Sequence, residues 1–473
     1  MRSRLLLLAA ALVAFGASLG SGFHFDDYAI FSDPALTAPD GLLSIWSLRQ
    51  TRPLTYLTFW LNYFVGGQDP LGYHLLNLAL HLGAVFLLYE CLRKLLTERV
   101  ALVAAAIFAV HPIQAEAVNY VWARSSVLAA LLCFASLWAW ISGRSWVAVA
   151  WFAAALLAKE ECAAFPLVLL LLDRKRKAPV AVMMTLAVVA AARVVYATAV
   201  TPGAPAGLQA GITPWRYFLA QGPVIWRYLR LLIVPYGFSV DPDIRVPAPW
   251  LGLAAWAALA GAVAIAWKYL PPGPRIWLAA GLILLIPSST VFPAADLSAD
   301  RRMYLPMLGF AAAAGLLLER VKPWAIAASA VAALAIVSVV RTEVWMTEES
   351  LWREAVERAP EKVRPKVQLA RAVPAAKALE LLSQARDLAP HDPAVAAEMG
   401  KTLLSEGQPE AALPEFGRAL ALDPRDARNF NNRGVALEAL GQSDAARADF
   451  ERALQIDPSL AEAKQNLQRL QGR

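Results

Sequence analysis

Residues 325–358 read AIAASAVAALAIVSVVRTEVWMTEESLWREAVER, and the chain changes its character within this stretch. The first part is an apolar run that predicts a membrane span over residues 324–340, whereas the second part is charged. The same contrast divides the whole chain, because apolar segments dominate before this point and charged periodic sequence follows it. We therefore expect a polytopic membrane domain at residues 1–344 and a water-soluble domain at residues 345–473.

The bulk composition agrees with a membrane protein. Of 473 residues 58% are hydrophobic, and the mean hydropathy of +0.47 is too high for one soluble protein of this length. The net charge of +7 arises partly from short basic clusters between apolar segments, such as Arg2 with Arg4 and residues 174–177. That pattern indicates the positive-inside rule, so we predict no nucleic-acid partner. The spacing of the three cysteines predicts neither a zinc site nor a disulfide framework.

Length and charge predict about 11 membrane crossings, with Arg2 and Arg4 in the cytoplasm and the C-terminus outside. The first apolar segment is predicted as an uncleaved span rather than a signal peptide. The segment Trp215–Pro235 contains three arginines and Gly222-Pro223, so we expect it to be interfacial or re-entrant. The predicted spans are 5–20, 74–92, 100–118, 125–141, 146–158, 162–172, 178–199, 250–270, 276–292, 304–318 and 324–340.

Two of these spans, 146–158 and 162–172, are much shorter than the roughly 20 residues that a bilayer requires. They are joined by Lys159-Glu160-Glu161 with almost no loop. A hairpin this short would hold its charged tip below the membrane surface, where ionisable groups need a polar cavity. The alternative is a misplaced boundary within one longer helix.

The C-terminal sequence repeats with a period of 34, as Pro390, Pro424 and Pro458 show. Small residues where helices cross, an aromatic residue in the second helix and a closing proline are the tetratricopeptide signature. We predict a degenerate half-unit at Trp345–Pro360 and a capping helix at Ala461–Arg473. The residues that repeat at this period are Gly400/Gly434, Gly407/Gly441, Ala412/Ala446, Phe416/Phe450 and Ala419/Ala453.

Such arrays bind extended peptides or partner proteins in a concave groove. Asn431 and Asn432 would lie on an inner helix, where their side chains could bond a peptide backbone. The alternative is that both asparagines are ordinary solvated residues of the repeat.

Five polar stretches interrupt the apolar sequence, and the predicted topology places nearly all of their polar residues on the external side. The first, FHFDDYAIF, contains Asp26 and Asp27. This pair could act as a general base with an orienting partner, or could hold a divalent metal. The alternative is a solvated turn. The second stretch, TRPLTYLTFWLNY, has Arg52 as its single charge.

The third stretch, HPIQAEAVNYVWARSS, holds His111, Glu116 and Arg124, although a His-Pro pair could simply cap a helix. The fourth is the hairpin tip with Lys159 and Glu160. The fifth, PSSTVFPAADLSADRRMYLP, contains Arg301 and Arg302, and guanidinium groups form bidentate hydrogen bonds with phosphate oxygens. Charges of both signs on one face favour a site for an anionic lipid-linked substrate over a passive anchor.

Six motifs occur in this order: FxxDD, RPLTxLTFWLNY, GYHLLNLxLH, HPIQxEAV, a KE hairpin and (D/E)RRxYLP, followed by tetratricopeptide repeats. In this combination the chain resembles the transmembrane and tetratricopeptide-repeat O-mannosyltransferases and their bacterial relatives, which belong to the GT-C superfamily of glycosyltransferases. The resemblance extends over nearly the whole chain. It implies an all-α fold, with a polytopic GT-C-like core followed by a tetratricopeptide-repeat α-solenoid.

The resemblance also implies transfer of a sugar, with mannose as the candidate, from a polyprenyl-phosphate donor on the extracytoplasmic side. The expected catalytic or metal-binding acid of the first external loop falls on Asp26 and Asp27. No cofactor is certain, and a divalent metal is left open. The composition, rich in alanine and arginine, suggests a bacterial source. We therefore expect an undecaprenyl-linked donor and a location in the inner (cytoplasmic) membrane, with the repeats outside.

Two positions depart from the family pattern. Ser125 and Ser126 stand where an acid usually follows Arg124, and Asp300 replaces the more usual Glu. These departures affect the predicted substrate contacts but leave the acids of the first loop in place.

The resulting hypothesis is a single inverting displacement, with Asp27 or Asp26 taking the proton from an acceptor hydroxyl. The repeats would present a polypeptide acceptor through Asn431 and Asn432. One rival is a non-catalytic membrane-anchored repeat scaffold, and another is an enzyme with a lipid or glycan acceptor. The residues predicted to bind the donor or its phosphate are Arg52, His111, Glu116, Arg124, Lys159, Glu160, Asp300, Arg301, Arg302 and Tyr304.

Overall fold

The structure is a computed structural model, and it describes residues 1–201, 206–207, 210–290, 292–321 and 324–472. Within these ranges the secondary structure is helical, apart from one isolated β-bridge. The predicted all-α fold is therefore confirmed. The chain divides into two compact units, Met1–Ser350 and Leu351–Arg473.

The first unit contains long helices separated by short helical turns. Its α-helices are α1 (Arg2–Phe15), α2 (Ala29–Ser32), α3 (Pro34–Thr37), α4 (Gly41–Ser44), α5 (Pro53–Gly66), α6 (Pro70–Leu95), α7 (Glu98–Val110), α8 (Ala115–Asn119), α9 (Arg124–Ile141), α10 (Ser145–Ala158), α11 (Phe165–Leu172), α12 (Lys177–Val200), α13 (Pro214–Ile233), α14 (Pro249–Tyr269), α15 (Pro272–Leu285), α16 (Met307–Leu318) and α17 (Ala325–Val344). Short 3-10 helices lie at Gly16–Gly20, Phe25–Tyr28, Pro112–Gln114, Val121–Ala123, Glu160–Ala164 and Asp300–Met303.

Several helices of this unit can cross a membrane, so the protein is a multi-pass membrane protein. Among the described residues, 6 helical segments are long and apolar enough, and the pair α7 and Pro112–Asn119, bent by 48°, raises the number to 7. The 6 segments are Arg2–Gly20, Pro70–Leu95, Val121–Ile141, Lys177–Val200, Pro249–Tyr269 and Ala325–Val344. The predicted total of about 11 crossings stays a prediction, because α10, α15 and α16 are apolar but short.

The bend after α7 has a local cause. Pro112 cannot continue the hydrogen-bond ladder of the helix, and α7 ends at Val110. The side chain of His111 then accepts a hydrogen bond from the Ile113 N–H at 3.1 Å and starts the following turn. The break leaves residues 111–123 as short turns, so their polar side chains are not confined to one helical face.

The core of the first unit lies where α1, α6, α7, α9, α10 and α16 pack together. In a membrane, close van der Waals packing between helices replaces the hydrophobic effect as the main source of stability. The large buried side chains that provide this packing include Phe15, Leu88, Phe108, Phe134, Phe152 and Phe310.

The second unit is a series of helix pairs, as predicted for tetratricopeptide repeats. The helices are α18 (Glu348–Arg358), which begins just before this unit, then α19 (Val363–Ala370), α20 (Ala375–Leu388), α21 (Pro393–Ser405), α22 (Pro409–Leu422), α23 (Ala427–Ala439), α24 (Ser443–Ile456) and α25 (Ala461–Gln471). The pairs α19/α20, α21/α22 and α23/α24 pack against each other and then against the next pair. The helix α19 has only 8 residues, whereas α21 and α23 have 13 residues each, so the first of these pairs is shorter than the other two.

Gly434 and Gly417 provide a matched test of this packing. A Cβ atom on Gly434 would lie 2.6 Å from Phe450 Cε1, whereas one on Gly417 would have nothing within 4 Å. We expect Gly434→Ala to destabilise the repeats by about 1–3 kcal/mol through overpacking. Gly417→Ala should be neutral or should stabilise α22 by up to about 1 kcal/mol. Limited proteolysis of the full chain at rising temperature measures the stability of both variants. Equal effects of the two substitutions would contradict the packing described.

Candidate functional site

A polar cavity of about 460 Å³ lies in the first unit. All five polar stretches contribute to its wall, together with α12, α13 and the loop after α15. The charged side chains in the wall are Asp26, Arg52, Lys159, Glu160, Glu161, Asp296, Arg301 and Arg302. Neutral polar and aromatic side chains in the wall include Trp122, Ser125, Tyr217, Ser288, Thr290 and Phe292.

The two neighbouring aspartates have different surroundings. Asp26 is exposed and lines the cavity. Asp27 is fully buried, and its two carboxylate oxygens accept hydrogen bonds from the backbone N–H groups of His24 at 2.9 Å and Trp122 at 2.7 Å. Asp27 therefore joins two loops of the cavity wall, and Asp26 is the acid placed to contact a ligand.

The protonation of Asp27 also argues against a role as general base. Burial raises the pKa of Asp27 to about 8, although the hydrogen bonds from His24 and Trp122 oppose the rise. The side chain thus tends to keep its proton at neutral pH, where a general base must be free to accept one.

Asp27→Asn is expected to lower the thermal-unfolding midpoint. Both oxygens of Asp27 can accept a hydrogen bond, whereas the amide nitrogen of asparagine cannot, so one of the two N–H donors would lose its acceptor at a cost of about 1–3 kcal/mol. Because the folded-state pKa of Asp27 is raised, its contribution to stability is complete below about pH 4 and is lost as the pH rises through about 8. The wild-type midpoint should therefore fall between about pH 4 and about pH 8 more steeply than that of the variant.

The control for this measurement is Asp40→Asn, because Asp40 is an exposed residue in the same region of the chain. Identical midpoints and identical pH profiles for Asp27→Asn and the wild type in detergent would contradict the structural role of Asp27.

Two ion pairs at the hairpin tip line the cavity. Arg52 forms a bidentate ion pair with Glu160, with Nε–Oε2 and Nη2–Oε1 distances of 3.0 and 2.6 Å. Lys159 Nζ lies 2.6 Å from Glu161 Oε2 and donates to Ser126 Oγ at 2.9 Å. The departure from the family pattern at Ser126 therefore falls on a contact with Lys159.

Glu161 is ionised in this arrangement. Burial alone would raise the pKa of Glu161, but the cations of Lys159 and Arg302 outweigh burial and bring the pKa down to about 2. Glu160 behaves in the same way, because Arg52 lowers its pKa in spite of burial. The hairpin tip thus presents fixed charges of both signs to the cavity.

Arg301 is held in place by Glu116. One oxygen of Glu116 contacts the Arg301 guanidinium, and the other accepts hydrogen bonds from the backbone N–H groups of Asp300 at 2.7 Å and Arg301 at 3.2 Å. Glu116 is buried and is absent from the cavity wall. It therefore orients a cation that faces the cavity.

Arg302 differs from the other cations of the cavity, because its hydrogen-bond acceptors are neutral oxygens rather than carboxylates. It is only 8% exposed, and its guanidinium donates to the Tyr217 hydroxyl at 3.3 Å and to the carbonyl oxygens of Leu297 at 3.1 Å and Asp296 at 2.7 Å. Within the described ranges, none of its hydrogen bonds goes to a carboxylate. The Glu161 carboxylate interacts with Arg302 electrostatically, but the hydrogen bonds of Arg302 go to neutral oxygens, so it can bind an anion without first losing a hydrogen-bonded ion pair.

Four other predicted site residues are engaged elsewhere in the unit. His111 caps the turn after α7 and also bonds the Leu232 carbonyl, and Asp300 forms an ion pair with Arg227 at 2.5 Å. Tyr304 and Arg124 are fully buried. Tyr304 bonds His81 Nδ1 at 2.7 Å, whereas Arg124 contacts Asn77, Thr58 and the Tyr73 carbonyl. These four residues support the wall without lining the cavity.

The prediction omitted several side chains that the structure places in or behind the wall. Glu161 was visible in the sequence as part of the charged hairpin tip. Arg227 is one of the three arginines of the segment Trp215–Pro235, and its ion pair with Asp300 is visible only in the fold. Trp122 and Tyr217 carried no signal, because aromatic residues are common in membrane domains.

The repeat unit contains the two predicted acceptor-binding asparagines. Asn431 is largely buried, and its Oδ1 accepts a hydrogen bond from Asn466 at 2.8 Å. Its Nδ2 donates to Asn432 Oδ1 at 3.5 Å. Asn431 thus has internal partners, and both roles stay predictions. Among the described residues of the chain, no group of three side chains that could hold a metal ion is found.

Comparison with known proteins gives two kinds of match. Residues 397–461 match the tetratricopeptide repeat family. The chain is also similar to protein O-mannosyl-transferases, namely one of Caenorhabditis elegans (32% identity over 156 residues), Tmtc1 of Drosophila melanogaster (38% over 141) and TMTC4 of Homo sapiens (34% over 158). The predicted resemblance to this family is confirmed.

The extent of these similarities is limited. The three alignments cover 29%, 27% and 27% of this chain, and 22%, 16% and 21% of the respective relatives. The chain therefore spans about a fifth of the length of the curated relatives that it matches. Among solved structures, YrrB, a TPR protein with an unusual peptide-binding site, aligns with 33% of this chain and 81% of its own length, at 22% identity and a TM-score of 0.24. The first TPR domain of human RPAP3 aligns with 24% of this chain and 92% of its own length, at 20% identity and a TM-score of 0.23.

Proposed function

We propose that this protein is a membrane glycosyltransferase that moves a sugar, with mannose as the candidate, from a polyprenyl-phosphate donor to an acceptor hydroxyl. The observation that supports this most strongly is the combination of Asp26 and Arg302 in one cavity. One is an exposed acid able to accept a proton, and the other is a buried cation bonded only to neutral oxygens within the described part. The similarity to protein O-mannosyl-transferases favours the same reaction class.

The reaction is a single inverting displacement of the GT-C type. The acceptor oxygen forms a bond to the anomeric carbon as the bond between that carbon and the phosphate oxygen breaks. The acceptor proton passes to the Asp26 carboxylate, and the leaving group is the polyprenyl phosphate. General-base assistance of this kind contributes roughly 10²–10⁴-fold to the rate.

Charge develops on the leaving phosphate as the bond breaks. Arg302 and Lys159 both line the cavity and meet this charge, while Arg301 is oriented towards the cavity by Glu116. Stabilising a charge that appears only in the transition state raises the rate rather than simple affinity. The paired Arg52 and Glu160 provide fixed polar groups for the hydroxyls of the sugar.

The repeat unit binds the acceptor in this proposal. Tetratricopeptide arrays bind extended polypeptides, and the acceptor hydroxyl would belong to a side chain of such a segment. Asn431 and Asn432 remain the proposed contacts. The active cavity would open on the extracytoplasmic side of a bacterial inner membrane, where a polyprenyl-linked donor is available.

The test uses the purified full-length protein in detergent with a panel of radiolabelled polyprenyl-phosphate sugars and a mixture of acceptor polypeptides. The expected result is donor-dependent release of polyprenyl phosphate with label appearing on the polypeptide. If polyprenyl phosphate is released and the label appears on a lipid or glycan instead of a polypeptide, the glycosyltransferase activity is supported but the acceptor is not a polypeptide. Absence of turnover and of binding with every donor would favour the non-catalytic scaffold.

A further inference from the structure

Trp122 has an unusual position in the cavity. It is the only tryptophan among the described residues of the wall, and most polar groups around it are charged. Its ring stacks on Phe59 at a centroid distance of 5.8 Å and an interplanar angle of 10°. Tyr56 contacts it edge-on at 6.0 Å. With Phe59 against one side of the ring, the other side is the one available to a ligand.

The backbone of Trp122 is tied to the loop that carries the proposed base. The backbone N–H of Trp122 donates to Asp27, and Asp27 also accepts from the backbone N–H of His24, two residues before Asp26. The buried carboxyl group of Asp27 thus holds together the two backbone segments that carry Asp26 and Trp122 in the cavity wall. The indole N–H of Trp122 makes no hydrogen bond to any residue in the described ranges, so it remains a donor for a ligand.

A pyranose ring has the chemistry that matches this surface. It presents a face of C–H groups, which packs against a flat aromatic ring, and a rim of hydroxyls, which bonds polar and charged groups. Neither the phosphate nor the polyprenyl chain of a donor needs a platform of this kind at the polar end of the cavity. We propose that Trp122 is the platform on which the sugar ring of the donor stacks, with its indole N–H donating to a sugar hydroxyl.

This inference rests on the proposed function, and the test separates the two. Binding of a polyprenyl-phosphate sugar and of polyprenyl phosphate without sugar is measured for the wild type, Trp122→Ala and Trp122→Phe. The wild type should prefer the sugar-linked lipid. Trp122→Ala should weaken binding of the sugar-linked lipid by about three- to tenfold and leave binding of the bare lipid phosphate within about twofold. Trp122→Phe should retain most of the preference.

The matched control is Trp146→Ala, because Trp146 is 63% exposed on α10 and is absent from the cavity wall. Equal weakening of both lipids by Trp122→Ala, with an unchanged unfolding midpoint, would assign Trp122 to the lipid phosphate and overturn the platform. An unchanged preference would also overturn it, while leaving the glycosyltransferase intact. If the wild type binds neither lipid, the proposed function itself fails and the platform with it.

Discussion

Asp26→Asn is expected to reduce sugar transfer by about 10²–10⁴-fold, because the amide cannot accept the proton of the acceptor hydroxyl. Asp26 is exposed in the cavity, and asparagine has nearly the same size and shape as aspartate, so the protein should fold normally. We therefore expect the unfolding midpoint and the affinity for the donor to stay close to the wild-type values. The loss should appear in kcat, measured with saturating donor and acceptor.

Asp40→Asn provides the matched control, since Asp40 is exposed in the same region but is absent from the cavity wall. It should retain wild-type activity. Full activity in Asp26→Asn would remove Asp26 from the mechanism. If Asp27→Asn alone abolished turnover while its unfolding midpoint stayed unchanged, the assignment of the base would pass to Asp27.

Arg302→Ala is expected to lower kcat/KM by about 10²–10³-fold, because the developing charge on the leaving phosphate would lose its buried cation. The released polyprenyl phosphate should also bind more weakly, as measured by product inhibition. Arg302→Lys should recover part of the activity, since lysine keeps the charge but not the planar fork of the guanidinium.

A structural effect of Arg302→Ala must be separated from a loss of charge, because Arg302 also bonds the carbonyl oxygens of Leu297 and Asp296. Partial recovery in Arg302→Lys distinguishes them, as does an unchanged unfolding midpoint. Arg216→Ala, which removes an exposed arginine from α13, should leave activity unchanged. Unchanged product inhibition in Arg302→Ala would contradict the proposed phosphate contact.

The sequence was a sound guide to the elements of the fold. The predicted spans at 74–92 and 178–199 fall within α6 and α12, and the span at 250–270 ends one residue beyond α14, because a long apolar run can form only a helix in lipid. The repeats were equally accessible, since their period places glycine opposite an aromatic ring, as at Gly434 and Phe450. Both signals are local and repeat along the chain.

The site was only partly accessible in this way. The sequence indicated which stretches are polar where an apolar residue would be expected, and all five of them line the cavity. It did not indicate which side chains within a stretch face inward. Five of the ten predicted donor residues lie in the wall, whereas the other five are buried and do not line the cavity, namely His111, Glu116, Arg124, Asp300 and Tyr304.

What the sequence determined by itself was the division between lipid and water, the helical class and the set of candidate stretches, because hydropathy and periodicity are properties of neighbouring residues. Only the tertiary structure decided that Asp26 faces the cavity while Asp27 joins two loops, and that Arg301 is oriented by a glutamate 185 positions away. Burial and charge pairing depend on groups brought together by packing across the bundle. A carboxylate next to another in the chain can therefore have an entirely different environment and a different chemical role.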